Sequence, residues 1–358
     1  MSRLADLNGL IVLTILAGFA ACIFIFLLTP LAERFHLLDK PNHRKHHEAS
    51  VPMVGGLAIY LVIISAMVVL DLPHKLSWLI FSVGILVAVG AIDDALNISV
   101  WVRFVSQFIA AGLMIAGSSL WIQSFGVNAW ALDSINAWAG IPITIFAVIG
   151  LTNGFNMVDG IDGLAAGHML VGLVAVSLTL FIRHGYIHQA EWIGILIAVV
   201  FAFWLVNLSL TPLKRVFLGD AGSLLLGFIM AWTLIYYTQE PIALLNPVVA
   251  LWCVAIPVFD TLVVIARRVK NRQSPFSPDR NHIHHLLVDI GVNSRITLFL
   301  ILGLSAFLNL IGIWITYAVS PLASLIAYAL MLIGFAYGML NPSIQRQLLL
   351  KLKLLNSS

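Results

Sequence analysis

The chain is a succession of long apolar runs separated by short polar interruptions. Runs bounded by charged, Pro or Asn clusters fall near residues 7–29, 54–71, 76–92, 100–120, 138–154, 165–182, 191–209, 221–238, 247–266, 296–318 and 321–340. Each approaches or exceeds the roughly 20 residues that a helix needs to cross a hydrocarbon core. The pattern predicts an all-α polytopic integral membrane protein of about eleven transmembrane helices. No long linker or low-complexity tract interrupts it, and no convincing internal repeat is visible. The first run follows a single arginine and lacks a small-residue cleavage pattern, so it reads as a retained helix.

Composition agrees with that pattern. Of 358 residues, 61% are hydrophobic and only 10% charged, against about 25% charged in a soluble domain, which excludes a soluble globule. Cys22 and Cys253 both lie in apolar runs, leaving no disulfide framework or CxxC metal site. The net charge of +3 says less than where the charges sit. Sixteen of the nineteen Lys and Arg residues fall in loops after odd-numbered spans or in the C-terminal tail. The positive-inside rule therefore predicts a periplasmic N-terminus and a cytoplasmic C-terminus. The tail QRQLLLKLKLL, from Gln345, is expected to lie along the cytoplasmic headgroups. Eleven of sixteen acidic residues lie at the same face, counting Asp260, which is less than two turns from the end of its span. Seven of eleven histidines accompany them. The chain thus reads as one transmembrane catalytic domain over 1–358, with site loops near 31–53, 93–99, 155–164, 210–220 and 267–295. Nothing in the charge pattern calls for nucleic acid.

Four constellations carry the chemistry. Asp93 and Asp94 close the third run in GAIDDALNISV. Carboxylates at a helix C-terminus oppose the macrodipole, so they read either as a solvated helix end or as part of a site for a hard cation such as Mg²⁺. In NGFNMVDGIDG, Asn156, Asp159 and Asp162 stand in a Gly-punctuated segment, with the two aspartates on one face if it is helical. In FLGDAGS, Asp220 reads either as an N-cap or as a cation ligand beside a helix N-terminus that favours phosphate. The loop SPFSPDRNHIHH presents Arg280, His282, His284 and His285 as counter-charges for a pyrophosphate. A zinc site or a basic loop resting on anionic lipid are its alternatives. Lys45 lies in a similar basic stretch, DKPNHRKHHEAS.

Taken together, DKPNHRKHH, VPMVGG, NMVDGIDG, VFLGDAGS and SPFSPDRNHIHH resemble the polyprenyl-phosphate N-acetylhexosamine-1-phosphate transferase family in motif order and topology, over roughly residues 31–287. The resemblance implies Mg²⁺-dependent transfer of GlcNAc-1-phosphate from UDP-GlcNAc to undecaprenyl phosphate, with Mn²⁺ as a substitute ion and UMP released. It implies a bacterial inner-membrane location with a cytoplasmic active site, and a product that opens lipopolysaccharide O-antigen or common-antigen-type glycan assembly. By the same resemblance Asp93, Asp94, Asp159 and Asp162 are catalytic, and Asp220 with Asp94 holds the metal. Asn156, Asn207, Phe217, Lys45, Arg280, His282, His284 and His285 bind substrate, Phe217 by stacking on uracil. The family's acidic pattern DDxxD ends here in Asn97, which weakens a third metal-binding carboxylate at that place.

Two rival readings remain open on the sequence. A different UDP-N-acetylhexosamine would keep the mechanism and shift the specificity. An ion-coupled transporter would place carboxylates near the bilayer midplane in repeated halves, whereas here they gather at one face. The small-residue face from Gly160 to Gly167 would permit close helix packing, and with it a homodimer.

Overall fold

The computed structural model describes residues 2–39, 50–70, 74–127, 134–185, 191–274 and 282–341. Along these the chain forms α1 Ser2–Leu28, α2 Gly55–Leu70, α3 His74–Leu96, α4 Val100–Ser118, α5 Ala137–Val158, α6 Leu164–His184 and α7 Glu191–Asn207. It continues with α8 Gly219–Thr238, α9 Pro247–Cys253, α10 Ala255–Lys270, α11 Ile283–Asp289, α12 Ser294–Ala318 and α13 Pro321–Leu340. Among the described residues, eight helices are long and apolar enough to cross a membrane, or nine if the bent pair α9–α10 is one span. Gly55–Val68 and Glu191–Asn207 are shorter apolar helices. The chain is an all-α polytopic membrane protein, and every apolar run read from the sequence is helical.

Helix α8 is the axis of the bundle. Every residue from Ala221 to Thr238 is buried, and α2, α3, α5, α6 and α9 pack around it. A helix hidden on all sides has no polar face to show, which is why this span carries no amphipathic signal. Between helices in lipid there is little hydrophobic drive, so close packing does the holding. A Cβ on Gly56 would stand 2.2 Å from the Gly222 amide nitrogen, so only a glycine lets the start of α2 lie against the start of α8. At the periphery, α1 and α13 turn Phe19 and Leu330 outward, both more than 60% exposed, as lipid-facing helices do.

The structure departs from the sequence expectations in four places. The run 247–266 is not one straight span, because α9 and α10 meet at a 73° bend. Pro257 lacks the N–H that would bond the Cys253 carbonyl, and its ring crowds that carbonyl, so the helix breaks at Val254 (φ −126°). Within the expected 93–99 loop, α3 runs on to Leu96 and carries both aspartates in its last turn. The expected 267–295 loop contains the short helix α11. The first polar loop starts and ends in a two-residue ladder, β1 Leu38–Asp39 against β2 Val51–Pro52. This ladder extends sideways, since Phe217 donates its N–H to the Pro52 carbonyl at 2.8 Å and accepts the Gly55 N–H at 3.0 Å.

The small-residue face from Gly160 to Gly167 is used inside the chain. A Cβ on Gly167 would stand 2.5 Å from the Leu302 side chain, and one on Gly163 2.8 Å from Trp204 Nε1. Gly163 and Gly167 are buried and pack against α7 and α12.

Candidate active site

The N-terminus of α8 is the point where the acidic constellations meet. Gly219 sits at φ +72°, a backbone region open to glycine, and turns the chain into α8 against the last turn of α3. There Asp94 accepts the Asp220 N–H on Oδ1 at 2.8 Å and the Ala221 N–H on Oδ2 at 3.2 Å. The carboxylate of one helix thus caps the positive end of another, which explains how α3 tolerates acid in its last turn.

Asp93 points elsewhere. Its Oδ1 accepts the Ile98 N–H at 2.8 Å, and its Oδ2 lies 2.9 Å from Nη1 of Arg103 on α4. The same Nη1 is 3.4 Å from Asp220 Oδ2. Asn156, near the end of α5, donates Nδ2 to Asp220 Oδ1 at 2.6 Å and to Ser223 Oγ at 2.9 Å. Four helices therefore fix Asp220: α8 carries it, α3 caps its amide, and α4 and α5 hold its two oxygens.

Asp159 and Asp162 follow in the turn between α5 and α6. Burial first, then the charges of Asp220, Asp162 and Asp94, hold the Asp159 carboxyl well above the usual carboxylate range. Asp162 forms an ion pair with Arg215, whose guanidinium lies 4.9 Å from the centre of the half-buried Phe217 ring. Asn207 is buried and donates to the Val216 carbonyl at 2.9 Å, so it shapes the loop that carries Phe217. His284 is fully buried against the same turn, and a Cβ on Gly160 would stand 2.0 Å from its Nε2. The rings of His284 and His285 are 4.2 Å apart, with His282 stacked 5.6 Å from His284.

Asp93, Asp94, Asn156, Asp159, Asp162, Phe217, Asp220, His282, His284 and His285 are thus gathered at one face of the bundle. Lys45 and Arg280 lie outside the described residues. Sequence reasoning missed Arg103, Ser223, Arg215 and Asp260 as site residues. In the sequence Arg103 counts only as a topology charge, yet a lone arginine one turn into an apolar run was the available signal. Asp260 was visible as a carboxylate inside a span, where an unpaired charge is costly.

Among the described residues no three His, Cys, Asp or Glu side chains stand at a spacing that closes a metal shell of protein groups alone. Mg²⁺ does not require one, because it binds through one or two carboxylates and keeps its other positions for water and phosphate oxygens. Here the donors are all oxygens, and one guanidinium, Arg103, stands between Asp93 and Asp220 while Asp159 is crowded by negative charge. That excess of hard, negative donors fits a divalent cation, with Asp220 and Asp94 as the groups that would hold it.

Carboxylates, an asparagine and an arginine converging on one helix N-terminus, with a histidine cluster against the neighbouring turn, form a polar site at one end of a membrane bundle, as in a membrane-embedded enzyme. Residues 76–238 match glycosyl transferase family 4. The chain belongs to that family, among the polyprenyl-phosphate N-acetylhexosamine-1-phosphate transferases. It is 39% identical over 293 residues to the undecaprenyl-phosphate α-N-acetylglucosaminyl 1-phosphate transferase of Yersinia pestis, covering 81% of this chain and 80% of that one. It is 37% identical over 299 residues to the enzyme of the same name from Escherichia coli K12, covering 83% and 81%. With the Haemophilus influenzae enzyme the identity is 36% over 325 residues, covering 89% and 90%.

Proposed function

We propose that this protein transfers GlcNAc-1-phosphate from UDP-GlcNAc to undecaprenyl phosphate, giving undecaprenyl-pyrophosphate-GlcNAc and UMP. The observation that carries the reading is the convergence of Asp93, Asp94, Asn156 and Asp220 on one helix N-terminus, in a chain alike over four fifths of its length to transferases of that name. An oxygen of the lipid phosphate attacks the β-phosphorus of the sugar nucleotide, the pyrophosphate P–O bond breaks, and UMP leaves with the electron pair. Asp93, fixed between Ile98 and Arg103, orients the lipid phosphate or takes its proton. Arg103 offsets charge beside it. Asn156 and Ser223 hold Asp220 in place, and the Arg215–Phe217 stack is where the uracil ring would lie. Bound Mg²⁺, or Mn²⁺ in its place, would supply charge neutralisation on the phosphates. His282 and His285 stand as donors to the diphosphate.

The reading includes eleven crossings, a periplasmic N-terminus and a cytoplasmic active site in the bacterial inner membrane. The Lys and Arg distribution supports that orientation. Its product would open O-antigen or common-antigen-type glycan assembly.

The test is a label-transfer assay with purified protein, undecaprenyl phosphate, Mg²⁺ and labelled UDP-GlcNAc, following UMP release and label in the lipid phase, with chelator and Asp93→Asn controls. Metal-dependent transfer to lipid is expected. Turnover only with another UDP-sugar would overturn the sugar assignment, and no turnover with any sugar nucleotide by folded protein would overturn the function.

A further inference from the structure

Asp260 lies in the second turn of α10, just past the break in the membrane helix, and is completely buried. A carboxylate there is costly unless its oxygens are satisfied, and both are. Oδ2 is 2.6 Å from His282 Nδ1, and Oδ1 accepts the Ile283 N–H at 3.0 Å. Anchoring the start of α11 needs only the Oδ1 bond. The second oxygen is committed to an imidazole whose own residue is 3% exposed.

We propose that Asp260 is a positioning residue for His282. By accepting from Nδ1–H it fixes the ring's orientation, so that the Nε2 edge is the one presented to the diphosphate of the sugar nucleotide. A carboxylate behind an imidazole does the same for metal-bound and catalytic histidines. The 73° bend between α9 and α10 serves this arrangement, because it aims the α10 carboxylate at the histidine-bearing segment instead of along a straight span. The inference rests on the proposed function insofar as His282 is there placed against the phosphates.

Asp260→Asn is the discriminating variant. It keeps an acceptor for the Ile283 N–H but replaces the carboxylate oxygen that accepts from Nδ1–H by an amide N–H, so a ring protonated at Nδ1 is no longer held. The expected result is a fall in kcat on the order of 10- to 100-fold, little change in KM for UDP-GlcNAc, an unchanged Tm, and no further loss when Asp260→Asn is added to His282→Gln. Losses that add in the double variant would overturn the proposal, because Asp260 would then act apart from His282. Wild-type kcat in Asp260→Asn alongside an impaired His282→Gln would overturn the inference and leave the proposed function standing. If wild-type protein transfers label and His282→Gln is fully active, the placement of His282 falls and takes this inference with it. Should Asp260→Asn fail to fold, His282→Asn tests the proposal separately. Its amide stands where Nδ1 stands and keeps the bond to Asp260 but has no Nε2, so folded protein with lost kcat supports the proposal and retained kcat overturns it.

Discussion

Replacing Arg103 by Gln would remove the cation that joins Asp93 and Asp220. The guanidinium is 2.9 Å from Asp93 and 3.4 Å from Asp220, and the side chains are 25%, 6% and 32% exposed, respectively. In surroundings of effective dielectric near 20, a unit pair at such distances carries about 5–6 kcal/mol of Coulomb energy. Desolvation and the partial exposure of the arginine take back part of this, so the loss of the pair should cost about 2–3 kcal/mol. For a chain of this size that corresponds to a fall of about 5 °C in Tm. Activity should suffer more, because Asp93 loses its guanidinium partner and a small displacement of a catalytic group costs on the order of 10²-fold. Thermal unfolding in detergent together with UMP release would measure both. If Arg103→Gln left Tm and rate unchanged, or if its effects simply added to those of Asp93→Asn, the two residues would not form one unit and the reasoning would be refuted.

Gly160→Ala would place a methyl group 2.0 Å from His284 Nε2, which should cost about 1–3 kcal/mol of stability as overpacking; His284→Ala in the same chain should restore the Tm, and failure to do so would deny the contact. The Asp162–Arg215 pair is about one-third exposed on each side, so Asp162→Asn should change stability by no more than about 1 kcal/mol, and any large loss of turnover in that variant reports substrate contact. Burial, followed by the neighbouring histidines, holds the His284 imidazole far below its usual range, at about 2. The unfolded ring takes up a proton near pH 6.5 while the native ring does not, so stability is full above that pH and declines below it by up to about 1.4 kcal/mol per pH unit. Melting curves from pH 7.5 to 5.5 should show this slope, and His284→Asn should flatten it.

The sequence by itself determined the class of fold and singled out the acids that gather at one end of it. Eleven apolar runs can only be helices in lipid, because the backbone must satisfy its own hydrogen bonds there, and the sparse acids and histidines among those runs were conspicuous against so much hydrocarbon. The motif residues were legible for the same reason, and Asp93, Asp94, Asp159, Asp162 and Asp220 do meet at one end of the bundle. What a carboxylate faces was not legible. Asp94 caps the helix that carries Asp220, while Asp93, one residue earlier, turns to Arg103, a division set by which helix lies on which side of α3. The break at Val254 was written in Pro257, but its consequence, Asp260 behind His282, joins residues 22 positions apart through a bend and a short helix. Periodicity and composition report how each segment meets lipid; which polar groups meet each other is decided by how the helices pack around α8, and that packing exists only in three dimensions.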